Sequence, residues 1–315
     1  MAGQGFIRRD AAHTATPFPK LATAPVYSTA LGRAYHIDAL AMFAQIPDDS
    51  VSLVVTSPPF ALQRKKKYGN VCPADYVAWF EPFAKEIYRV LKPDGSFVLE
   101  LGGSWNPGVP TRSLYQYELI IQLGKTFHLA QDFYWYNPAR LPTPAEWVTV
   151  RRTRVKDAVS LVWWLSKTEN PQADNRRVLR PYSASMKRLL DVGYKGGKRP
   201  SEHVISADAF SKDNGGAIPP NVLEISNTSS NDRYLRSCKA AGVAPHPARF
   251  PADLPTFFIK FLTQPGDLVI DPFAGSNVTG AAAEGLGRRW VTSELNADYI
   301  AGSKFRFADE TAKAA

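Results

Sequence analysis

Leu268-Val269-Ile270-Asp271-Pro272-Phe273-Ala274-Gly275-Ser276-Asn277 decides the fold class. Three apolar residues read as a short buried strand, and Asp-Pro interrupts it. Four small residues then lead into Val278 to Leu286, whose apolar spacing is helical. A strand that turns through small residues straight into a helix is half of a βαβ unit, and such a turn lets a ligand approach the backbone closely. The next strand, Arg289 to Glu294, ends on an acid 23 residues after Asp271, the spacing of a ribose-binding carboxylate in nucleotide-binding units. The loop lacks the extra glycines and basic residues of a pyrophosphate cradle. It suits a nucleoside with an uncharged or cationic tail, with Asp271 facing an ammonium group. S-adenosylmethionine is such a ligand. Taken alone, the same residues also describe a tight turn followed by a surface acid.

More than 200 residues upstream lies a second strand end, Val51 to Val55 followed by Thr56-Ser57-Pro58-Pro59-Phe60. Two successive prolines forbid helix and remove two backbone donors, so the chain must leave the strand in a stiff loop. Between these two places the periodicity predicts helices over Tyr76 to Leu91 and Leu114 to Leu123. Strands are predicted over Ser96 to Leu101, Phe127 to Tyr136 and Ala158 to Leu165. Leu254 to Thr263 and Ala297 to Phe307 read as further helices. Strands alternating with helices predict an α/β fold with a doubly wound, mostly parallel, Rossmann-like sheet. Residues 1–30 read as an N-terminal tail. Residues 31–169 read as one part of the core and 246–315 as its cofactor-binding part. Residues 170–245, polar and rich in Gly, Asn and Ser, read as an insert that does not continue the sheet.

The net charge of +9 is concentrated in one place. Residues 140–200 hold 14 Lys and Arg against 5 acids, so this segment carries the whole excess and the rest of the chain is neutral. A neutral body with one basic segment suits a polyanion, although a solvated basic surface has the same composition. Arg64-Lys65-Lys66-Lys67 forms a second cationic loop directly after the Pro-Pro stretch. Cys72 and Cys238 match no metal or redox spacing, so neither a metal site nor a disulfide is expected. Residues 1–30 have no apolar core segment, and no run of 18 apolar residues occurs. A soluble, cytoplasmic protein without membrane association is expected.

With both loops in view, the chain resembles the DNA amino-methyltransferases, in the β arrangement that places the catalytic loop first, the recognition insert next and the cofactor loop last. Thr56 to Phe60 is similar to the family's serine-proline-proline-aromatic catalytic motif, and Asp271 to Asn277 resembles its cofactor motif. Glu294 falls at the ribose acid and Asp38 at the acid near the adenine. Phe250 and Pro251, within His246 to Pro251, resemble the segment that packs over the methionine part. Asn277 stands where many relatives have glycine. The resemblance implies transfer of a methyl group from S-adenosyl-L-methionine, with no metal, to an exocyclic amino group in double-stranded DNA. Ser57 Oγ and the Pro58 carbonyl would accept its hydrogens, Pro59 would stiffen the loop, and Phe60 would stack on the flipped-out base. Serine at the first motif position suggests cytosine N4. The segments Arg154 to Val159 and Ser211 to Gly216 are similar to those of members acting on the inner cytosine of CAGCTG, which implies a restriction-modification setting and a cognate endonuclease with the same site. Arg64, Lys65, Lys66, Lys67, Arg151, Arg152, Arg154, Lys187 and Arg188 are the expected DNA contacts. Trp147, Trp163 and Trp164 read as core or sheet residues. Adenine-N6 methylation, a DNA-binding protein without chemistry, and methylation of protein or RNA amides remain alternatives.

Overall fold

The computed structural model describes residues 18–61, 69–194, 196–198, 204–206, 210–228 and 232–307. In chain order the strands are β1 (Tyr27–Ser28), β2 (Gly32–His36), β3 (Val51–Thr56), β4 (Leu91–Leu101), β5 (His128–Tyr136), β6 (Val159–Ser166), β7 (Gly197–Lys198), β8 (Val204–Ile205), β9 (Val222–Glu224), β10 (Leu268–Asp271) and β11 (Arg289–Glu294). The helices are α1 (Ala39–Phe43), α2 (Tyr76–Val90), α3 (Tyr115–Leu123), α4 (Ala184–Val192), α5 (Arg233–Ala240), α6 (Asp253–Leu262), α7 (Val278–Gly285) and α8 (Ala297–Ser303).

Nine strands form one sheet in the order β1-β2-β11-β10-β3-β4-β6-β5-β9. Only β1 and β6 run against the other seven. The expected doubly wound architecture is therefore present. Its central strands, such as β3 and β10, are buried along their whole length, as strands covered on both faces must be. One face carries α1, α2 and α3 through Met42, Phe80, Ile87 and Leu119. The other carries α6, α7 and α8 through Phe258, Ala283 and Ile300. In α2 the buried residues Phe80, Phe83, Ala84, Ile87 and Val90 recur at helical spacing, which fixes the face it turns to the sheet.

β3 and β10 are neighbours, and their connections leave in opposite directions, to β4 through α2 and to β11 through α7. That divergence opens a crevice at the carboxyl ends of the two strands, the place where open α/β sheets bind ligands. Both motif loops emerge there.

Two expectations need correction. The strand expected from Ser96 begins at Leu91, because Leu91 already pairs with Val51 of β3; Lys92 to Gly95 bulge out before the pairing resumes at Ser96 and Leu53. The insert also does not stay outside the sheet. β9 pairs in parallel with β5 as the last strand, and Asp174 N–H bonds the Phe261 carbonyl on α6. Three residues in a polar stretch carry too little periodicity to announce a strand.

Packing is tight where β2 meets β11. A Cβ on Gly32 would stand 1.9 Å from the Trp290 ring, which is fully buried and bonded through Nε1 to Glu284. Gly32→Ala is expected to cost about 2–3 kcal/mol by overpacking, read as a lower denaturation midpoint with an unchanged m-value.

Candidate active site

The prolines at 58 and 59 end β3 and hold the following loop against the core. Pro58 is buried, and the Pro59 carbonyl accepts the Tyr76 hydroxyl at 2.9 Å. Phe60 is half-buried and packs against Gly102, where a Cβ would stand 2.3 Å from its ring. Gly102 is thus the space into which the aromatic ring fits.

Ser57 is half-exposed, and its Oγ donates to Glu100 Oε2 at 2.6 Å. Glu100 sits on the neighbouring strand β4 and is 5 % exposed. Burial raises its pKa to about 7, while the Ser57 and Ser160 hydroxyls and the Arg140 charge pull the other way. The Ser160 hydroxyl lies outside bonding geometry, so Oε1 has no hydrogen-bond partner among the described residues. A carboxyl that titrates near neutrality behind a serine can take that serine's proton. Sequence reasoning missed Glu100, although a single acid within Phe97-Val98-Leu99-Glu100-Leu101 was a readable signal. Lone carboxylates are rarely buried without a purpose.

The cofactor-type loop lies one strand away, and the two loops are tied together. Asp271 Oδ1 accepts the Thr56 hydroxyl at 2.7 Å and Phe273 N–H at 3.1 Å, and Oδ2 accepts the Thr279 hydroxyl at 2.7 Å. Asp271 is 1 % exposed, and burial raises its pKa to about 6 despite these bonds. The carboxylate expected to face an ammonium group instead lies beneath the loop and fastens it to β3 and α7. Loop sequence gives a residue's place along the chain but not which side of the loop its carboxylate takes.

Glu294 ends β11 and reaches back to the loop. Its Oε2 accepts Gly275 N–H at 2.9 Å and its Oε1 accepts Asn296 N–H at 2.8 Å. Burial raises its pKa. Each carboxylate oxygen has a second lone pair, so Glu294 can also accept from ribose hydroxyls. Gly275 has φ +52°, and a Cβ there would lie 3.2 Å from the His246 ring. Asn277 adopts a left-handed conformation (φ 55°) and caps α7 by accepting Gly280 N–H at 3.0 Å. Asparagine tolerates that conformation better than most residues, so its presence at a common glycine position is explained. The Ser276 hydroxyl and carbonyl are held by Arg306 at 3.0 and 2.7 Å. Pro272 accepts Ser293 Oγ at 2.9 Å, and Phe273 packs on Phe83 and Trp79 of α2.

The remaining expected residues are spread more widely. Asp38 is exposed and caps α1, with Oδ1 accepting Leu40 and Ala41 N–H. Phe250 packs against the α6 side of the sheet, and Pro251 is buried beside it. Arg64, Lys65, Lys66 and Lys67 lie outside the described residues. Arg151 and Arg152 are exposed on the β5–β6 connection, as are Lys187 and Arg188 on α4. Arg154 is committed internally, lying 3.7 Å from the Trp105 ring centroid and bonded to the Pro110 carbonyl. Trp163 and Trp164 are buried in β6, whereas Trp147 is half-buried beneath the Arg151 guanidinium.

The whole arrangement from β3 to α8 coincides with a known family. Residues 51–305 match the model described as DNA methylase. The chain belongs to this DNA methylase family. It is 54 % identical to the type II methyltransferase M.PvuII of Proteus hauseri over 290 residues, covering 90 % of this chain and 86 % of that protein. A solved structure described as a cytosine-N4-specific PvuII DNA methyltransferase superposes with a TM-score of 0.75 at 47 % identity, over 91 % of this chain and 90 % of the other. A putative DNA modification methylase of Thermus thermophilus shares the fold at a TM-score of 0.56 and 20 % identity, over 89 % of this chain and 94 % of the other. Among the described residues, no helix is long and apolar enough to cross a membrane.

Proposed function

We propose that this DNA methylase uses S-adenosyl-L-methionine to methylate the exocyclic N4 amino group of a cytosine flipped out of duplex DNA. The observation that carries the reading is the Ser57–Glu100 pair, at a proline-stiffened strand end next to the Asp271 to Asn277 loop. The residues of that loop fit the cofactor. The N-terminus of α7 is capped by Asn277, and the one guanidinium beside it, Arg306, is engaged by Ser276 and Asp232, so the turn is not arranged as a phosphate cradle, while Glu294 can take ribose hydroxyls. Asp38 would approach the adenine, and Phe250 and Pro251 would cover the methionine part. When bound, the cofactor supplies an electrophilic sulfonium methyl group.

The chain's own task is the amino group and its proton. An exocyclic amine of cytosine is a weak nucleophile, because its lone pair is delocalised into the ring. Ser57 Oγ gives its hydrogen to Glu100, so its lone pairs face outward to accept an amino N–H. The Pro58 carbonyl is the second acceptor. As the nitrogen gains positive charge, its proton passes to Ser57 Oγ while the serine proton passes to ionised Glu100. Both acceptors are fixed before the reaction and need no reorganisation. Phe60 offers a flat surface to a base outside the stack.

The likeness to M.PvuII supports CAGCTG, modified at the inner cytosine, as the site, and a cognate endonuclease cutting the same sequence. Incubation with labelled cofactor and duplexes that contain or lack CAGCTG, followed by nucleoside analysis, tests each part. N4-methylcytosine confined to CAGCTG duplexes is expected. N6-methyladenine alone would sink the target assignment, and label in both duplex sets would sink the site.

A further inference from the structure

Beyond Gly102 the structure has a small, half-enclosed pocket of about 90 Å³, lined by Gly103, Trp105, Arg112, Arg140, Asp157 and Val159 among others. Its walls follow β4 (Gly103), follow β5 (Arg140) and begin β6 (Val159), so it lies on the same edge of the sheet as Ser57. In the strand order it stands between the catalytic loop and β9, where the insert joins. We propose that this pocket is a subsite for a DNA backbone phosphate beside the flipped nucleotide, held by Arg112 and Arg140. The proposal rests on the methyltransferase reading and adds to it a contact outside the insert.

Three guanidinium groups gather near two acids here, Asp157 and, through the charge of Arg140, the buried Glu100. Arg112 and Arg154 approach Asp157 at 3.7 and 3.9 Å, too long for tight pairing, and Arg140 points toward Ser160 at 3.5 Å. Arg112 is pressed onto the backbone, where a Cβ on Gly103 would lie 2.1 Å from its Nη2. Its Nε is buried without a hydrogen-bond partner among the described residues. A guanidinium with a donor unfilled, beside a second guanidinium and an excess of positive charge, suits an anion with several oxygens. The pocket has room for several waters, and so for a tetrahedral phosphate group. Trp105, the aromatic ring in the lining, has Arg154 3.7 Å and Arg112 5.6 Å from its centroid. A guanidinium is already the close partner of this ring, which favours phosphate over a nucleobase.

Arg112→Gln, Arg140→Gln and the double variant test this in duplex binding with S-adenosylhomocysteine present. Thermal unfolding and S-adenosylhomocysteine affinity serve as controls for folding. One lost phosphate contact should flatten the slope of log K against log salt by about 0.9 and raise Kd about tenfold or more at low salt. Duplexes carrying a single methylphosphonate near the target should weaken wild-type binding at one position, and the double variant should be indifferent to that substitution. Arg140→Lys should keep the slope. An unchanged slope with unchanged methylphosphonate sensitivity overturns the proposal, as does a shift confined to the pH profile of methyl transfer, which would mean that Arg140 acts only through Glu100. Saturable protection of the arginines by inorganic phosphate, with no methylphosphonate effect, would make this a free-anion site and also overturn it. A wild-type protein that neither binds nor methylates DNA would fail at the methyltransferase reading itself.

Discussion

Ser57→Ala is expected to lower kcat by about 10²–10⁴-fold, the range for loss of a positioned proton acceptor, with little change in cofactor affinity. Glu100→Gln should lose a comparable amount, and the double variant should be scarcely worse than either single one, because the two side chains act as one unit. The Glu100 pKa of about 7 gives the pH dependence. Only ionised Glu100 can take the serine proton, so wild-type kcat should fall as pH drops through about 7. Glu100→Gln should show no such limb. The sign for stability is opposite. Because the folded pKa lies above the ordinary value of 4.5, this group's contribution is full below about pH 4.5 and is lost as pH rises through about 7. At pH 8 the buried charge costs on the order of 3 kcal/mol. Glu100→Gln should therefore melt at a higher temperature than wild type at pH 8 while losing activity, as substitutions of strained catalytic groups can. Equal melting temperatures at pH 8, or an unchanged acid limb in the variant, would remove Glu100 from the proton path.

What was legible in the sequence was whatever local chemistry dictates. Two prolines after an apolar strand force a rigid loop wherever they occur, and a small-residue turn between a strand and a helix has few other uses. Thr56 to Phe60 and Asp271 to Asn277 therefore stood out, and the alternation between them gave the sheet. Pairings set by tertiary packing were not legible. Nothing near Val222 signals that β5 needs an edge partner. Nothing near Ser57 signals that its hydroxyl points toward β4 and Glu100. The basic segment was legible as charge but not as function. Its members divide into exposed groups such as Arg152 and Lys187 and committed ones such as Arg154, and only the packing around each side chain separates them.

The same limit applies to Asp271, and two substitutions there separate the positions a carboxylate can take in this motif. Asp271→Ala would leave the buried Thr56 and Thr279 hydroxyls and Phe273 N–H without their shared acceptor. Unsatisfied buried groups of this kind cost about 1–3 kcal/mol each when relaxation is limited, so a loss of about 3 kcal/mol or more and a failure to bind S-adenosylmethionine are expected. Asp271→Asn differs. Its remaining oxygen can occupy the Oδ1 place and keep Thr56 and Phe273, while its amide can donate to Thr279 Oγ1. The lost negative charge was itself costly to bury, since the carboxyl pKa is raised to about 6. Asp271→Asn is therefore expected to stay within about 1 kcal/mol of wild type and to keep cofactor affinity within about fivefold at pH 8. A carboxylate paired with the cofactor's ammonium group predicts the opposite, because an amide cannot replace a charge, and both variants would then lose binding together. Calorimetric titration of the two variants, with thermal unfolding in parallel, decides whether Asp271 is the fastening beneath the loop or a ligand contact above it.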